Sequence, residues 1–338
     1  MMAAGFIYFI LVTFTREADY NRLMCWSVLG FGLAMRLVML PSTPILEDDH
    51  FRYLWDGAVT AQGSNPYRYA PLDITISSGE PALSELKALA DSSGGIISHI
   101  NYPWLRTIYP SVAQAAFAAA HLVSPWSLVV WRLLLAIFDL ATLWLIWRLG
   151  LPFVAVAIYW LNPLLVKEIY NSAHLDVLML PFLVAAAAAV AKKRFVGATA
   201  ALGIAAGIKL WPGLLLPIVW RRMSGRPGAL LASAGLTLLA VSIVRARGQV
   251  TGAGRRFALR RQVLGRHARA QIALEGHAVA GVAVLGLDAG RTQLGIVDHA
   301  LVTVRSYGFI GQNVVAVIGA LADCAAAEAV AAGRGERQ

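Results

Sequence analysis

Long apolar blocks separated by short polar connections fill the first 244 residues of the chain. Apolar stretches that approach about 20 residues are typical of helices that cross a membrane. The pattern predicts about eight transmembrane helices, several of which are too short for a straight span and would be tilted or broken. The predicted blocks are residues 1–14, 23–40, 126–147, 151–166, 175–191, 195–208, 210–220 and 229–244.

One polar connection, from about residue 41 to 125, is much longer than the others. It contains Gly-Ser, Pro-Tyr and Ser-Ser-Gly-Gly turn signals. An amphipathic stretch at 81–90 predicts a surface helix, and the residues that begin at Arg52 predict a short interfacial helix. The predicted fold class is therefore all-α: a polytopic transmembrane helical bundle with a large first extracytoplasmic loop.

The composition agrees with a membrane protein. Hydrophobic residues make up 58% of the chain and charged residues 14%, with a mean hydropathy of +0.63. A soluble domain is closer to half apolar and a quarter charged. The net charge of +10 does not indicate a nucleic-acid partner, because the arginines fall in short clusters between apolar blocks. Two cysteines cannot form a disulfide framework.

The basic clusters predict the orientation in the membrane. They occupy four alternate connections between the apolar blocks, which therefore lie on one side of the membrane. By the positive-inside rule this side is the cytoplasm. The loop 41–125, the connection 167–176 and the turn 209–212 then face the outside. The basic residues concerned are Arg16, Arg22, Arg148, Lys192, Lys193, Arg194, Arg221, Arg222 and Arg226.

The last 94 residues, 245–338, differ in composition from the rest. They contain no Trp, Pro or Lys but half of the 24 arginines, with many Ala, Gly and Val. One interpretation is a poorly ordered surface extension, and the other is a shifted reading frame in a GC-rich gene. We therefore place the catalytic region at 1–244 and no functional residue in the Arg/Ala/Gly-rich tail at 245–338.

The acidic group Glu47, Asp48 and Asp49 follows the second apolar block and must face water, a headgroup or a polar cavity. Three adjacent like charges favour protonation of one of them. A carboxylate of this kind suits a general base for a sugar hydroxyl. A solvated charge cluster and a divalent-cation site remain open alternatives. Arg52 is able to hold a phosphate bidentately or to pair with a carboxylate.

Two further outer segments carry polar residues. If residues 167–174 are helical, Lys167, Asn171 and His174 share one face. The pair His174 and Asp176 is a weak metal signal, and a capping or structural pair explains it as well. Lys209 is a lone ammonium among apolar residues, which either snorkels to the interface or neutralises a lipid-linked phosphate.

The region from about residue 23 to 220 resembles GT-C membrane glycosyltransferases, and is most similar to the bacterial polyprenyl-phosphate-mannose-dependent mannosyltransferases. The order of the motifs and their common outer side carry the resemblance. The motifs are Glu-Asp-Asp-x-x-Arg-Tyr-Leu-Trp-Asp-Gly, Gly-x-Asn-Pro-Tyr, Tyr-Pro, Asn-Pro-Leu-Leu-x-x-Glu, His-x-Asp and Ile-Lys-Leu-x-Pro. The tail lies outside this region.

The resemblance implies an inverting transfer of a hexose, with mannose as the first choice, from polyprenyl phosphate to a glycan or lipid acceptor. The reaction would take place at the periplasmic face of a bacterial inner membrane, with membrane lipid as a further partner. Asp48 or Asp49 would be the catalytic base, and Lys209 or Arg52 would bind the donor phosphate. The implied substrate-binding residues are Glu47, Glu168, Asn171, His174 and Asp176. No nucleotide or metal cofactor is implied, although the Asp48–Asp49 pair leaves room for a divalent cation.

A transporter or flippase is the main alternative function, because broken helices and a polar cavity suit it too. It predicts charge near mid-membrane and two similar halves, whereas the charged motifs lie at predicted helix ends and show no internal repeat. A noncatalytic membrane assembly subunit is the third candidate. A mutated base or a truncated bundle would favour it.

Overall fold

The computed structural model describes Tyr8, residues 21–45, 47–76 and 81–223, and isolated positions between 225 and 237. Within these ranges the chain is helical and forms no β-strand. The predicted first block apart from Tyr8, most of the block 229–244 and the tail 245–338 lie outside the described residues. The helices are α1 Arg22–Met39, α2 Asp49–Ala61, α3 Pro71–Ile76, α4 Pro81–Ser92, α5 Ser111–Val123, α6 Leu128–Arg148, α7 Phe153–Trp160, α8 Pro163–Val166, α9 Leu180–Ala191, α10 Phe195–Ile208 and α11 Leu216–Arg221.

Two described helices, α1 and α6, are long and apolar enough to cross a membrane. A third span results if α7 and the segment Pro163–Asn171 are taken as one broken helix, bent by 44°. The predicted blocks 175–191, 195–208 and 210–220 correspond to shorter helices, preceded in two cases by 3₁₀ turns at Leu175–Met179 and Trp211–Leu215. The predicted membrane helices are thus supported, but fewer of them than predicted are full-length spans.

The predicted loop 41–125 is itself largely helical. It contains α2 through α5 and a 3₁₀ turn at Ile96–His99. The predicted surface helix at 81–90 is present as α4. The predicted short helix at Arg52 is present as α2, which is largely buried in the protein, and its place at the membrane interface stays a prediction. Helix α5 was not predicted. It packs closely on α2 at Gly57, where any side chain would collide with the backbone of Phe117.

An aromatic stack fixes α2 over the start of α6. The rings of Tyr53 on α2 and Phe117 on α5 stack with centroids 4.9 Å apart, and Phe117 meets the Trp131 ring of α6 at 5.2 Å. All three side chains are almost fully buried. Aromatic pairs at such distances add to the stabilisation from burial. The stack therefore holds the acidic start of α2 near the first turn of α6.

The end of α1 contacts the start of α6. Arg132, in the first turns of α6, donates from Nη1 to the carbonyl of Leu40 at the end of α1, at 2.9 Å. Helix α1 therefore ends where α6 begins. The basic residues Arg22 and Arg148 lie at the opposite ends of the same two helices. This antiparallel arrangement agrees with the alternation used to predict orientation.

A buried ion pair joins α1, α6 and α7. Arg36 Nε lies 2.6 Å from Asp139 Oδ2, and its guanidinium stacks on Trp160 at 3.4 Å from the ring centroid. The hydroxyls of Tyr159 and Tyr170 also donate to the Asp139 carboxylate. Charges inside a membrane span need such partners, because unpaired charge in hydrocarbon is costly. Neither charged residue was singled out from the sequence.

The break between α7 and α8 follows from its sequence. Asn162 caps α8 by accepting the N–H groups of Leu164 and Leu165, and Pro163 occupies the first turn. Proline is favoured there because its missing N–H costs no hydrogen bond. After α8 the chain forms a π-helical turn, Lys167–Asn171. Such turns are frequent at functional sites.

Candidate functional site

The acidic group lies at the start of α2. Asp48 occupies the N-cap position but makes no side-chain capping bond, and it is exposed. Glu47 and Asp49 are half-buried. The carboxylate of Asp48 is therefore not used in capping the helix that it precedes.

The segment 167–174 supplies a charged cluster around Glu168. His174 Nδ1 lies 2.6 Å from Glu168 Oε2, and Lys167 Nζ lies 2.7 Å from Glu168 Oε1. The other imidazole nitrogen, His174 Nε2, is 4.0 Å from Glu47 Oε2. This distance is too long for a hydrogen bond, but it brings the acidic start of α2 beside the histidine.

The third segment joins through an ion pair. Lys209, just after α10, places Nζ 2.7 Å from Asp176 Oδ1. The sequence suggested a lone ammonium, and this prediction was wrong in that the structure gives it a carboxylate partner. The partner was hidden because the two residues are 33 positions apart.

The charges of these segments act on common groups. Burial lowers the pKa of His174, but the hydrogen bond and charge of Glu168, with Asp176 and Asp49, outweigh it and raise that pKa above its ordinary value. Burial raises the pKa of Tyr53 well above its usual range, and Asp49 and Asp176 raise it further. The 4.0 Å approach of His174 Nε2 to Glu47 Oε2 places the start of α2 beside the segment 174–176, in agreement with these electrostatic effects.

Asn171 binds the start of the long connection 41–125 instead of facing outward on a continuous helix. Its Nδ2 donates to Ser42 Oγ at 2.8 Å and to the Thr43 carbonyl at 2.7 Å. The π turn ends at Asn171, and Ala173 adopts a positive φ of 58°. The expected shared helical face of Lys167, Asn171 and His174 is therefore wrong. Lys167 and His174 meet at Glu168 because the chain turns between them.

Arg52 lies in a different setting from the other predicted site residues. It is buried and donates from Nη2 to the carbonyls of Tyr102 and Leu105, at 3.2 and 3.1 Å. These contacts fasten the connection between α4 and α5. Its contact with a donor phosphate stays a prediction.

Two residues at this end were not selected from the sequence. Arg132 donates from Nη2 to the Asn171 carbonyl at 2.8 Å as well as to Leu40, and is 3% exposed. His50 follows Asp49 and is also buried. The signal for Arg132 was present, since it is a lone cation near the outer end of an apolar block, as Lys209 is.

A separate buried cluster of polar side chains lies between α2 and α5. Asp56 is fully buried and accepts a bond from Gln114 Nε2 at 3.3 Å, while Gln114 also donates to Thr107. Burial raises the pKa of Asp56 to about 6, although Arg52, Thr107 and Gln114 act in the opposite direction. The carboxyl belongs to the packing of α2 against α5 and is not among the predicted site residues.

No group of three or more His, Cys, Asp or Glu side chains in the described ranges is arranged to hold a metal ion. The absence of a cofactor stays a prediction.

A family model described as "Alpha-(1->6)-mannopyranosyltransferase, N-terminal domain" matches residues 34–225, more than half of the chain. The matched region contains every predicted site residue, from Glu47 to Lys209, and none of the tail. Neither the curated proteins nor the solved structures include a significant match. The chain therefore belongs to the alpha-(1->6)-mannopyranosyltransferase N-terminal domain family, and this membership supports glycosyltransferase activity.

Proposed function

We propose that the protein is an integral membrane glycosyltransferase that moves a hexose, with mannose as the first choice, from a polyprenyl phosphate to an acceptor hydroxyl. The transfer takes place at the periplasmic face of a bacterial inner membrane and inverts the anomeric centre. One observation carries the proposal. Three distant segments, 47–49, 168–176 and Lys209, bring carboxylates, an imidazole and an ammonium to the helix ends that the basic-residue pattern assigns to the outside.

In this mechanism the half-buried or exposed carboxylate of Asp49 or Asp48 removes the proton from the acceptor hydroxyl. The acceptor oxygen forms a bond to the anomeric carbon as the bond from this carbon to the phosphate oxygen breaks. The electron pair of the broken bond leaves with the polyprenyl phosphate. The proton stays on the aspartate until water removes it.

Lys209 stabilises the negative charge that develops on the departing phosphate. Asp176 fixes its ammonium at 2.7 Å, so the charge is positioned before the reaction begins. A preoriented charge in a partly water-excluded site lowers the barrier without reorganisation. This role needs Lys209 to share its hydrogens between Asp176 and the phosphate, which an ammonium with three donors can do.

The dyad Glu168 and His174 binds the sugar. Glu168 holds Nδ1 of His174, so Nε2 points away from it and toward Glu47. A protonated imidazole donates from Nε2 to a sugar hydroxyl, and Glu47 accepts from one. Asn171 contributes by fixing the outer loop that carries Glu47.

The distribution of charge supports an enzyme over a transporter. The ion pair of Arg36 and Asp139 within the candidate spans is closed by hydrogen bonds inside the protein. The charged residues of the candidate site gather at one end of the helices instead. A translocation path would place such groups near mid-membrane.

The test is transfer by the reconstituted full-length protein, with radiolabelled polyprenyl-phosphate mannose and candidate glycan and lipid acceptors. Native protein should label an acceptor. The Asp48→Ala/Asp49→Ala double variant should lose transfer by about 100- to 10,000-fold, as expected for removal of a general base. Single Asn variants then identify the base.

Asp91→Ala is the matched control, because Asp91 is an exposed aspartate of α4 in the same outer region. Its transfer rate should equal that of the native protein. Unchanged transfer in the double variant would remove the catalytic assignment.

A further inference from the structure

Buried polar atoms without a partner concentrate at one place in the described part of the chain. Seven buried side-chain nitrogen or oxygen atoms there lack a hydrogen-bond partner. Four of the seven belong to residues around the turn 171–174 and the start of α2. These atoms are His50 Nδ1, Arg132 Nε, Ser172 Oγ and His174 Nε2. Native proteins pair nearly all such groups, so a concentration of unpaired ones indicates a site for a polar ligand.

Arg132 is the charged member of this group. A guanidinium has five N–H donors. Backbone carbonyls of Leu40 and Asn171 accept one bond each from Nη1 and Nη2, while Nε has no partner in the described residues. The structure gives this arginine no carboxylate in hydrogen-bond or ion-pair contact within those residues. Its charge and its remaining donors suit the bidentate recognition of a phosphate.

The other unpaired atoms lie around Arg132. Ser172 directly follows Asn171, whose carbonyl Arg132 binds. Burial lowers the pKa of His50 most strongly, and the charges of Asp48 and Arg132 then act on it in opposite directions. His50 also lies three residues after Glu47, whose Oε2 is 4.0 Å from His174 Nε2, two residues beyond Ser172. A neutral imidazole is able to present an N–H at Nδ1, and a serine hydroxyl donates freely.

The surroundings of Arg132 fit the end of a lipid. Arg132 binds the carbonyl of Leu40, the residue that follows the last residue of α1, so it lies at that end of the candidate spans. On α6 Val129 and Leu133 are 53% and 47% exposed, and Leu37 on α1 is 59% exposed. A buried cation beside exposed apolar side chains matches a ligand with an anionic head and an apolar chain.

We propose that Arg132, assisted by His50 and Ser172, binds the phosphate of the polyprenyl-phosphate donor, whose chain lies along the apolar side chains of α1 and α6. This inference rests on the proposed function and adds a second cation to Lys209. Arg132 holds the bound phosphate through Nε and the remaining Nη hydrogens.

The experiment measures the binding of two probes to the full-length protein in nanodiscs. The probes are polyprenyl phosphate and the uncharged polyprenol of the same chain length. Arg132→Gln should weaken the binding of polyprenyl phosphate by at least about tenfold, since a charge-assisted bond is lost. The binding of polyprenol should stay within about twofold of native. Arg132→Lys, which keeps the charge but loses the fork, should fall between these values.

Arg148→Gln is the matched control, because Arg148 is an exposed arginine at the opposite end of the same helix. It should bind both probes as the native protein does. Equal weakening of both probes in Arg132→Gln would show that the arginine only supports the fold, and unchanged binding of both would show that it does not meet the phosphate. Either result overturns the inference.

Ser172→Ala keeps the inference testable if Arg132→Gln does not fold. It removes one hydroxyl without adding bulk, so polyprenyl phosphate binding should weaken by about two- to tenfold with polyprenol unaffected. No loss, or the same loss for both probes, would count against the site. Because neither probe carries a sugar, the binding result stands apart from the transfer assay. Transfer without Arg132-dependent binding refutes this inference alone, and Arg132-dependent binding without transfer to any acceptor refutes the proposed function alone.

Discussion

Arg36 and Arg132 are two equally buried arginines with different surroundings, 2% and 3% exposed respectively. Arg36 pairs with Asp139, donates to the carbonyls of Gly32 and Trp160 and stacks on the Trp160 ring. Gly32 makes room for this arrangement, since any side chain there would overlap the indole of Trp160. Among the described residues, Arg132 has two carbonyl acceptors, and its Nε has no partner.

The difference separates charge that holds the fold from charge that meets a ligand. A buried charge that is paired with a carboxylate, and whose nitrogen atoms all have partners inside the protein, has little to offer a substrate. A buried charge with unpaired donors costs stability, and this cost is offset when a ligand binds. The closed pair of Arg36 and Asp139 lies within the candidate spans, whereas Arg132 lies where α1 ends and α6 begins.

The largest expected effect comes from opening the closed pair. Arg36→Gln leaves Asp139 charged and buried without its cation, which should lower the free energy of unfolding by about 3–5 kcal/mol. Unfolding in detergent, followed by circular dichroism, measures it. The double replacement Arg36→Met/Asp139→Leu should recover much of the loss, because no charge then remains unpaired. A stable Arg36→Gln protein would show that the pair does not hold the helices.

The next largest effect is expected at Lys209, one of the charged residues of the candidate site. Lys209→Gln should reduce transfer by about 10- to 100-fold, because it removes a charge-assisted bond to the leaving phosphate. Its melting temperature should fall less than that of Arg36→Gln, because the side chains of Lys209 and Asp176 are 21% and 11% exposed and water partly solvates the charge left behind. Transfer rate and melting temperature are measured on the same preparation. Lys192→Gln, an exposed lysine at the opposite end, is the control, and an equal loss in both variants would contradict the role.

A smaller effect is expected at Asp56, which contacts neither Arg36 nor Arg132 and lies in the separate cluster with Gln114. Burial raises its pKa to about 6 from 3.8, so the folded state binds a proton that the unfolded state releases between these values. Its contribution to stability is complete below pH 3.8 and is lost as the pH rises through 6. Asp56→Asn should therefore stabilise the protein at pH 8, on the order of 1–2 kcal/mol. The gain should shrink at pH 5, and a gain that is equal at both pH values would contradict the burial argument.

The smallest effect is expected at His174. Its raised pKa means that the pair with Glu168 stabilises the fold fully below the ordinary pKa of about 6.5, and that this contribution is lost as the pH rises through the folded value. His174→Gln should therefore destabilise the protein more at pH 6 than at pH 9, by less than about 1 kcal/mol. Melting temperatures at the two pH values measure the difference. A larger loss at pH 9 would reverse the assigned sign.

The sequence predicted much of the helical framework because apolar blocks and prolines are local signals. Helix α5 was missed because its 13 residues, many of them small, are too few for a span. Its packing on α2 and α6 depends on contacts between distant parts of the chain. The pair of Arg36 and Asp139 was missed for another reason. The two residues are 103 positions apart, and nothing near either one indicates the other.

The candidate site was likewise predicted only in part. The acidic start of α2, the His174 segment and Lys209 were found from residue type and predicted sidedness. Their partners were not found, because the contacts of Lys209 with Asp176 and of Arg132 with Leu40 depend on tertiary folding. Tertiary contacts also ended the predicted helical face at Asn171.

Cysteine labelling in intact cells tests most directly on which side of the membrane the candidate site lies. Cys25 and Cys324 are replaced by Ser, and single cysteines are placed at Ile45, Leu210 or Lys193, which are all exposed. A membrane-impermeant maleimide added from outside should label Ile45→Cys and Leu210→Cys, beside the acidic group and Lys209, and should leave Lys193→Cys unlabelled. Labelling of Lys193→Cys without the other two would place the site in the cytoplasm and contradict the account.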